Sequence, residues 1–232
     1  IMEAVDGVWR SEMRLACPEL APYVRDFQGY SERVASMFRR LELPHGGVVL
    51  VVNFGARWTI SDPRREREAI EFDSFVAGID DFSSLVSAGG RADCLQINLT
   101  PLGARRFFGV GMHELARRVV DLSDVLGADA GRLADRLYQA PDWAMRFDIA
   151  EQMLRGRIEN QPAETSRALC AWHLLERSGG RVRIGAIARE LGCSRKHLAE
   201  LFRDQVGLPP KSVAGVLRFA RAVRALEGGA RA

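Results

Sequence analysis

Six residues in one short stretch have the types and spacing to do chemistry: Ser194, Arg195, Lys196, His197, Glu200 and Arg203. Helical periodicity from about Arg195 to Gln205 puts Leu198, Leu201 and Phe202 on one side. Arg195, Lys196, Glu200 and Arg203 then fall on the other. Basic residues in a first helical turn oppose the helix dipole, at a cost of a few tenths of a kcal/mol per charge. Arg-Lys-His at that position therefore points to an anionic partner. Arg and Lys hydrogen-bond well to guanine edges and to phosphate, so the pattern predicts contact with double-stranded DNA. Lys196, Glu200 and Arg203 are expected at base edges in the major groove, with Arg195 and His197 nearer the phosphates. Ser194 is placed to cap the helix. A basic helix taken alone is better explained as a solvated face, so the neighbouring elements have to decide.

Those neighbours are specific. Thr165 to Arg177 reads as an amphipathic helix with Leu169, Trp172 and Leu175 on one side, stopped by Ser178-Gly179-Gly180. In Arg183 to Leu191 the apolar positions Ile184, Ile187, Ala188 and Leu191 follow i, i+3, i+4, i+7. Gly192 supplies a left-handed turn, and the Gly-Cys-Ser connection is short enough to force a steep helix crossing. The small side chain of Ala188 falls where the two helices must approach closely. This ordered set predicts a helix-turn-helix.

The run Ile187-Ala188-Arg189-Glu190-Leu191-Gly192-Cys193-Ser194-Arg195-Lys196-His197-Leu198, followed by Leu201-Phe202-Arg203 and Gly207-Leu208-Pro209-Pro210, resembles the first helix-turn-helix of AraC/XylS-type regulators. The next helix, with Arg218-Phe219, Ala222 and Ala225-Leu226, is similar to that family's linker helix. Pro210 is expected to start it, and Val213, Val216, Leu217, Ala220 and Val223 give it an apolar stripe whose end, beyond Arg224, is expected to be frayed or borrowed by a neighbouring molecule. Pro44-x-Gly46 and Leu50-x-x-Asn53-x-Gly55 resemble, more weakly, the small cupin-like β-barrel sensor domains found ahead of such regions. The resemblance implies a bacterial transcription regulator with two helix-turn-helix units, of which only the first precedes Ala232. It also implies a possible small-molecule effector, a possible homodimer, and RNA polymerase as a partner if the protein is an activator.

The elements ahead of this region read as strands. Val48-Val49-Leu50-Val51-Val52 is a β-branched run between glycines, and Cys94 to Leu99 alternates apolar and polar residues before Thr100-Pro101. Phe72 to Ala77 and Tyr23 to Tyr30 are weaker strands. Past Pro101 the texture turns helical, with Leu102 to Phe108 and then two helices broken near Ala140-Pro141, the second capped by Asp142. The fold class expected is α+β: an N-terminal antiparallel β-barrel or sandwich, then helices, then a C-terminal all-α helix-turn-helix region. The divisions expected are a β-rich sensor domain at 1–100, a helical connecting or dimerisation segment at 101–161, and a DNA-binding domain at 162–232. Asn160-Gln161-Pro162 marks the last boundary.

Charge follows the same division. From Pro162 onward there are 13 Arg/Lys against 6 Asp/Glu, a net of +7, while the preceding residues carry −4. An acidic first part and a basic last part fit a polyanion meeting only the second. No apolar run approaches the roughly 20 residues of a membrane span, so a membrane is not an expected partner. Ile1 to Asp6 has no secretory pattern, and Cys17, Cys94, Cys170 and Cys193 form no CxxC pair, which favours a reducing cytoplasm. His45, His113, His173 and His197 form no HxH or HxxxH pair. With no nucleophile elbow and no phosphate loop either, the chain is expected to be no enzyme and to hold no cofactor or metal. His45 is read as a turn residue. Phe27, Phe38, Phe54, Trp58 and Phe75 are candidates to line an effector pocket. Two alternatives stand beside an effector site: an N-terminal domain that only mediates dimerisation or protein contact, or a cupin-type enzyme.

Overall fold

The run Val48 to Val52 becomes β4 (Val48–Asn53), an inner strand of an antiparallel sheet. A computed structural model describes residues 7–34, 38–63, 69–160 and 166–229. Among these, β1 (Gly7–Leu15), β2 (Val24–Val34), β9 (Arg91–Leu99), β4, β7 (Phe75–Ala77) and β10 (Val119–Asp121) hydrogen-bond in that order. A second sheet runs β3 (Phe38–Glu42), β8 (Ser84–Ala88), β5 (Trp58–Ser61), β6 (Ile70–Phe72). Every pairing is antiparallel.

Period-2 alternation divides the larger sheet into two faces. Phe27, Leu50, Val52, Leu95, Ile97 and Leu99 are fully buried on one face, in a core shared with helices. Those helices are α1 (Pro101–Phe108), α3 (Leu122–Leu126), α4 (Ala128–Gln139) and α5 (Trp143–Glu159). The other face looks toward the second sheet, where Val51, Trp58, Ile60, Phe72, Phe75, Val86 and Cys94 cluster.

Asp142 caps α5 as expected, accepting from the Met145 N–H at 2.8 Å, and Thr100 caps α1, its Oγ1 accepting from the Gly103 N–H at 3.0 Å. The helical texture past Pro101 is interrupted once, because β10 returns to pair with β7. Gln161, Pro162 and Thr165 lie outside the described residues.

The last helices are α6 (Ser166–Arg177), α7 (Ile184–Glu190), α8 (Arg195–Gln205) and α9 (Pro210–Gly229). Ala168, Trp172, Leu175, Ile187, Leu198, Phe202, Val213 and Leu217 form their core. Two residues from the N-terminal half, Ile79 and Leu102, belong to that same core and are themselves 1 % and 0 % exposed. The α+β arrangement expected from the sequence is the one observed. Helix α9 continues past Arg224 to Gly229.

Candidate nucleic-acid interface and interior cavity

The turn between α7 and α8 is built by local chemistry. Gly192 takes φ +61°, a left-handed conformation that costs an L side chain roughly 1–2 kcal/mol. The Cys193 N–H then reaches back to the Ala188 carbonyl at 2.9 Å. Ser194 caps α8, its Oγ accepting from the His197 N–H at 3.1 Å. Ala188 is buried in the core shared by these helices.

On α8, Leu198 and Phe202 are fully buried and Leu201 half-buried. Lys196, His197, Glu200 and Arg203 are exposed. Lys196, Glu200 and Arg203 stand at i, i+4 and i+7, hence along one stripe of the helix. Arg195 is also exposed, but its guanidinium lies along α7, with Nε 3.3 Å from where a Cβ of Gly185 would stand. Among the described residues no carboxylate pairs with Arg195, Lys196 or Arg203. The C-terminal end of α8 is held instead. Arg105 of α1 binds the Asp204 carboxylate at 3.1 Å and its carbonyl at 3.2 Å. Gly207, at φ +100°, fits under the Met112 carbonyl of α2 (Met112–Leu115), which would stand 2.9 Å from an added Cβ.

A second feature lies between the two sheets. It is a cavity of about 670 Å³ lined by both apolar and polar side chains. Trp58, Ile60 and Val86 line it from the smaller sheet, and Val49, Val51 and Phe75 from the larger one. Beside Val49 and Val51 on the larger sheet, Asp26 and Gln28 of β2 stand in direct register with Asn98 and Gln96 of β9. Gln96 Nε2 donates to Asn98 Oδ1 at 2.9 Å, Asn98 Nδ2 to Asp26 Oδ1 at 2.5 Å, and Gln28 Nε2 to the same oxygen at 2.9 Å. Burial pushes the Cys94 thiol up to about 12, so it remains protonated. Burial, reinforced by the nearby Arg25 charge, holds His45 below its ordinary range.

The loop Leu43 to Gly47 joins this cavity to the helices. His45 and Pro44 line the cavity, while Leu217 Cδ2 of α9 rests against Gly46, 2.7 Å from where its Cβ would be. Arg25 donates to the Gly46 carbonyl at 3.0 Å and to Glu176 of α6 at 3.0 Å. A further cavity of about 750 Å³, lined by Arg25, Glu42, His45, Glu176, Leu217 and Arg224, lies between this loop and α6 and α9.

A family model described as a domain of unknown function (DUF6597) matches residues 12–121. That span runs from within β1 to the end of β10 and so takes in the cavity. No sequence among the curated proteins matches the chain. Among solved structures, the AraC-like transcriptional activator CuxR aligns over 93 % of this chain and 86 % of its own, at 16 % identity and a TM-score of 0.36. ToxT from Vibrio cholerae aligns over 88 % and 84 %, at 10 % identity and a TM-score of 0.45. ToxT from Vibrio cholerae O395 bound to (E)-4-(8-methylnaphthalen-1-yl)but-3-enoic acid aligns over 82 % and 99 %, at 12 % identity and a TM-score of 0.31.

Of the aromatic candidates for a pocket, Trp58 and Phe75 line the cavity. Phe27 lies on the opposite face of the sheet, its ring 6.2 Å from that of Phe147, and Phe54 packs with the helical core. The Phe38 side chain lies outside the described residues. Asp26, Gln28, Gln96 and Asn98 escaped the sequence reasoning, and so did the cavity-facing position of His45. Among the described residues no group of His, Cys, Asp and Glu is arranged to hold a metal ion, and no helix is long and apolar enough to cross a membrane.

Proposed function

We propose that the chain is a DNA-binding transcription regulator of the AraC/XylS type, with α8 as its reading helix and the cavity between the sheets as its effector site. The observation that carries this is the α7–turn–α8 unit, whose Lys196, Glu200 and Arg203 form an exposed stripe at helical spacing. Lys196 and Arg203, which form no ion pair among the described residues, keep their charge available for a polyanion. Lys196, Glu200 and Arg203 read base edges. His197 and Arg195 lie nearer the phosphates, and Arg195 also braces α7. Ser194 contributes by holding the first turn of α8 in place.

The test is selection of bound duplexes from a random-sequence library, followed by fluorescence titration of a selected duplex and a scrambled one. Lys196→Ala and Arg203→Ala should each cost roughly 1–3 kcal/mol on the selected duplex and relax preference at one position. Arg195→Ala should weaken both duplexes alike and reduce the slope of log K against log salt by about 0.9. If Lys196→Ala and Arg203→Ala leave both affinities untouched, α8 is not the reading helix.

A further inference from the structure

We propose that the cavity takes a small organic cation with an apolar body, its ammonium group held by Asp26, Gln28 and Gln96. This rests on reading the cavity as an effector site and names the chemistry of the effector. Asp26, as a carboxylate, only accepts hydrogen bonds, so it dictates how its neighbours are turned. Gln28 and Asn98 must present their NH2 groups to it. Asn98 Oδ1 then faces Gln96, which must donate in turn. The orientation of all three amides follows from the one carboxylate. Asp26 Oδ2, Gln28 Oε1 and Gln96 Oε1 are left as acceptors with no donor among the described residues. Gln28 and Gln96 are directly opposed across the β2–β9 ladder, and Asp26 is one pleat further along. Opposed side chains lie about 5 Å apart. Three acceptors so grouped match the three N–H donors of one ammonium.

Charge decides against an anion. Glu12, Asp26, Glu42 and Asp80 line the cavity against Arg25 and Arg40. Both arginines are committed, Arg25 to Glu176 and Arg40 to Glu42. His45 is kept neutral by its burial. Asp26 has no cationic partner among the described residues, and an inward-facing carboxylate in that position is stabilised by any cation that replaces its water. Val49, Val51 and Phe75 beside this cluster on the same sheet, and Trp58 and Ile60 on the facing sheet, accept an aliphatic or aromatic body.

The probes are three molecules of one shape: 3-phenylpropylamine, 3-phenylpropan-1-ol and 3-phenylpropanoate, titrated calorimetrically into the full chain at pH 7.5. The amine should bind at least tenfold more tightly than the alcohol, and the carboxylate not at all. Asp26→Asn should abolish the difference between amine and alcohol without altering thermal unfolding. Gln96→Leu provides a second variant and should weaken the amine severalfold while leaving the charge preference. The proposal is overturned if the alcohol matches the amine, if the carboxylate binds best, if none of the three binds at 10 mM, or if Asp26→Asn retains the preference for amine. Duplex binding measured on the same samples separates the two questions. Amine binding without duplex binding would remove the regulator reading and keep the cation site, whereas duplex binding without amine binding would do the reverse.

Discussion

Leu102→Ala tests whether the reading unit is braced by the N-terminal half of the chain. Leu102 is on α1 yet is fully buried in the core of α6 to α9. The substitution removes three buried carbons, at about 0.8 kcal/mol each, for about 2.4 kcal/mol of lost transfer energy. Whatever void stays open adds to that, within the roughly 2–5 kcal/mol range for Leu→Ala in cores. The loss should fall on α6 to α9, whose core loses a member. Amide hydrogen exchange read by mass spectrometry locates it. At tenfold per 1.4 kcal/mol, 2.4 kcal/mol accelerates exchange about 50-fold in peptides of α7, α8 and α9. Leu133→Ala is the control, a buried leucine of α4 in the core behind the sheet. It should loosen α4 and α5 first. Unchanged exchange in α7 to α9 with Leu102→Ala, alongside faster exchange in the sheet, would refute the brace and make the helix-turn-helix a unit that folds by itself.

Gly180→Ala should be severely destabilising. At φ +73° the alanine pays roughly 1–2 kcal/mol for its backbone, and its Cβ would stand 2.2 Å from the Ala214 carbonyl of α9. Thermal unfolding measures it, and a melting temperature within a degree of wild type would contradict the packing described. His45 makes stability depend on pH in a defined direction. Its folded-state value lies below its ordinary 6.5, mainly through burial and secondly through Arg25, so the unfolded chain takes up the proton first. Stability from this group is complete above pH 6.5 and declines as pH falls below it, by at most about 1.4 kcal/mol per unit. Urea titrations between pH 7.5 and 5 should show that slope flattened in His45→Gln, and an identical slope in both proteins would rule the assignment out.

Much of the helix-turn-helix was legible in the sequence because its determinants are local. Gly192 supplies the turn, Ser194 the cap, and Ile187, Ala188, Leu198 and Phe202 the buried faces, all within sixteen residues. The cavity was not legible, for a reason seen at Gln96 and Asn98. Their alternation with Leu95, Ile97 and Leu99 marks a sheet with one polar face. Polarity by itself does not distinguish a face turned to bulk water from one turned to an enclosed space. The same ambiguity covers Asp26 and Gln28 on β2. His45 reads as part of a Pro-Gly turn from its neighbours alone, because Arg25 and Glu176 approach from 20 residues before and 131 after. Leu102 and Ile79 look like ordinary local core, and only the folded chain assigns them to helices that begin more than sixty residues later.

The loop holding His45 and Gly46 touches two compartments with adjacent residues, His45 facing the cavity and Gly46 carrying Leu217 and the Arg25–Glu176 link. On the proposed reading, an occupant that favours one arrangement of this loop and of the α6 and α9 contacts behind it couples the cavity to duplex binding in one thermodynamic cycle. Whatever factor an occupant adds to duplex affinity, the duplex must return to the occupant. An effector that appears weak in a screen without DNA would tighten by that factor once a matched duplex is present, and a screen with DNA included is the more sensitive one for a ligand that activates binding.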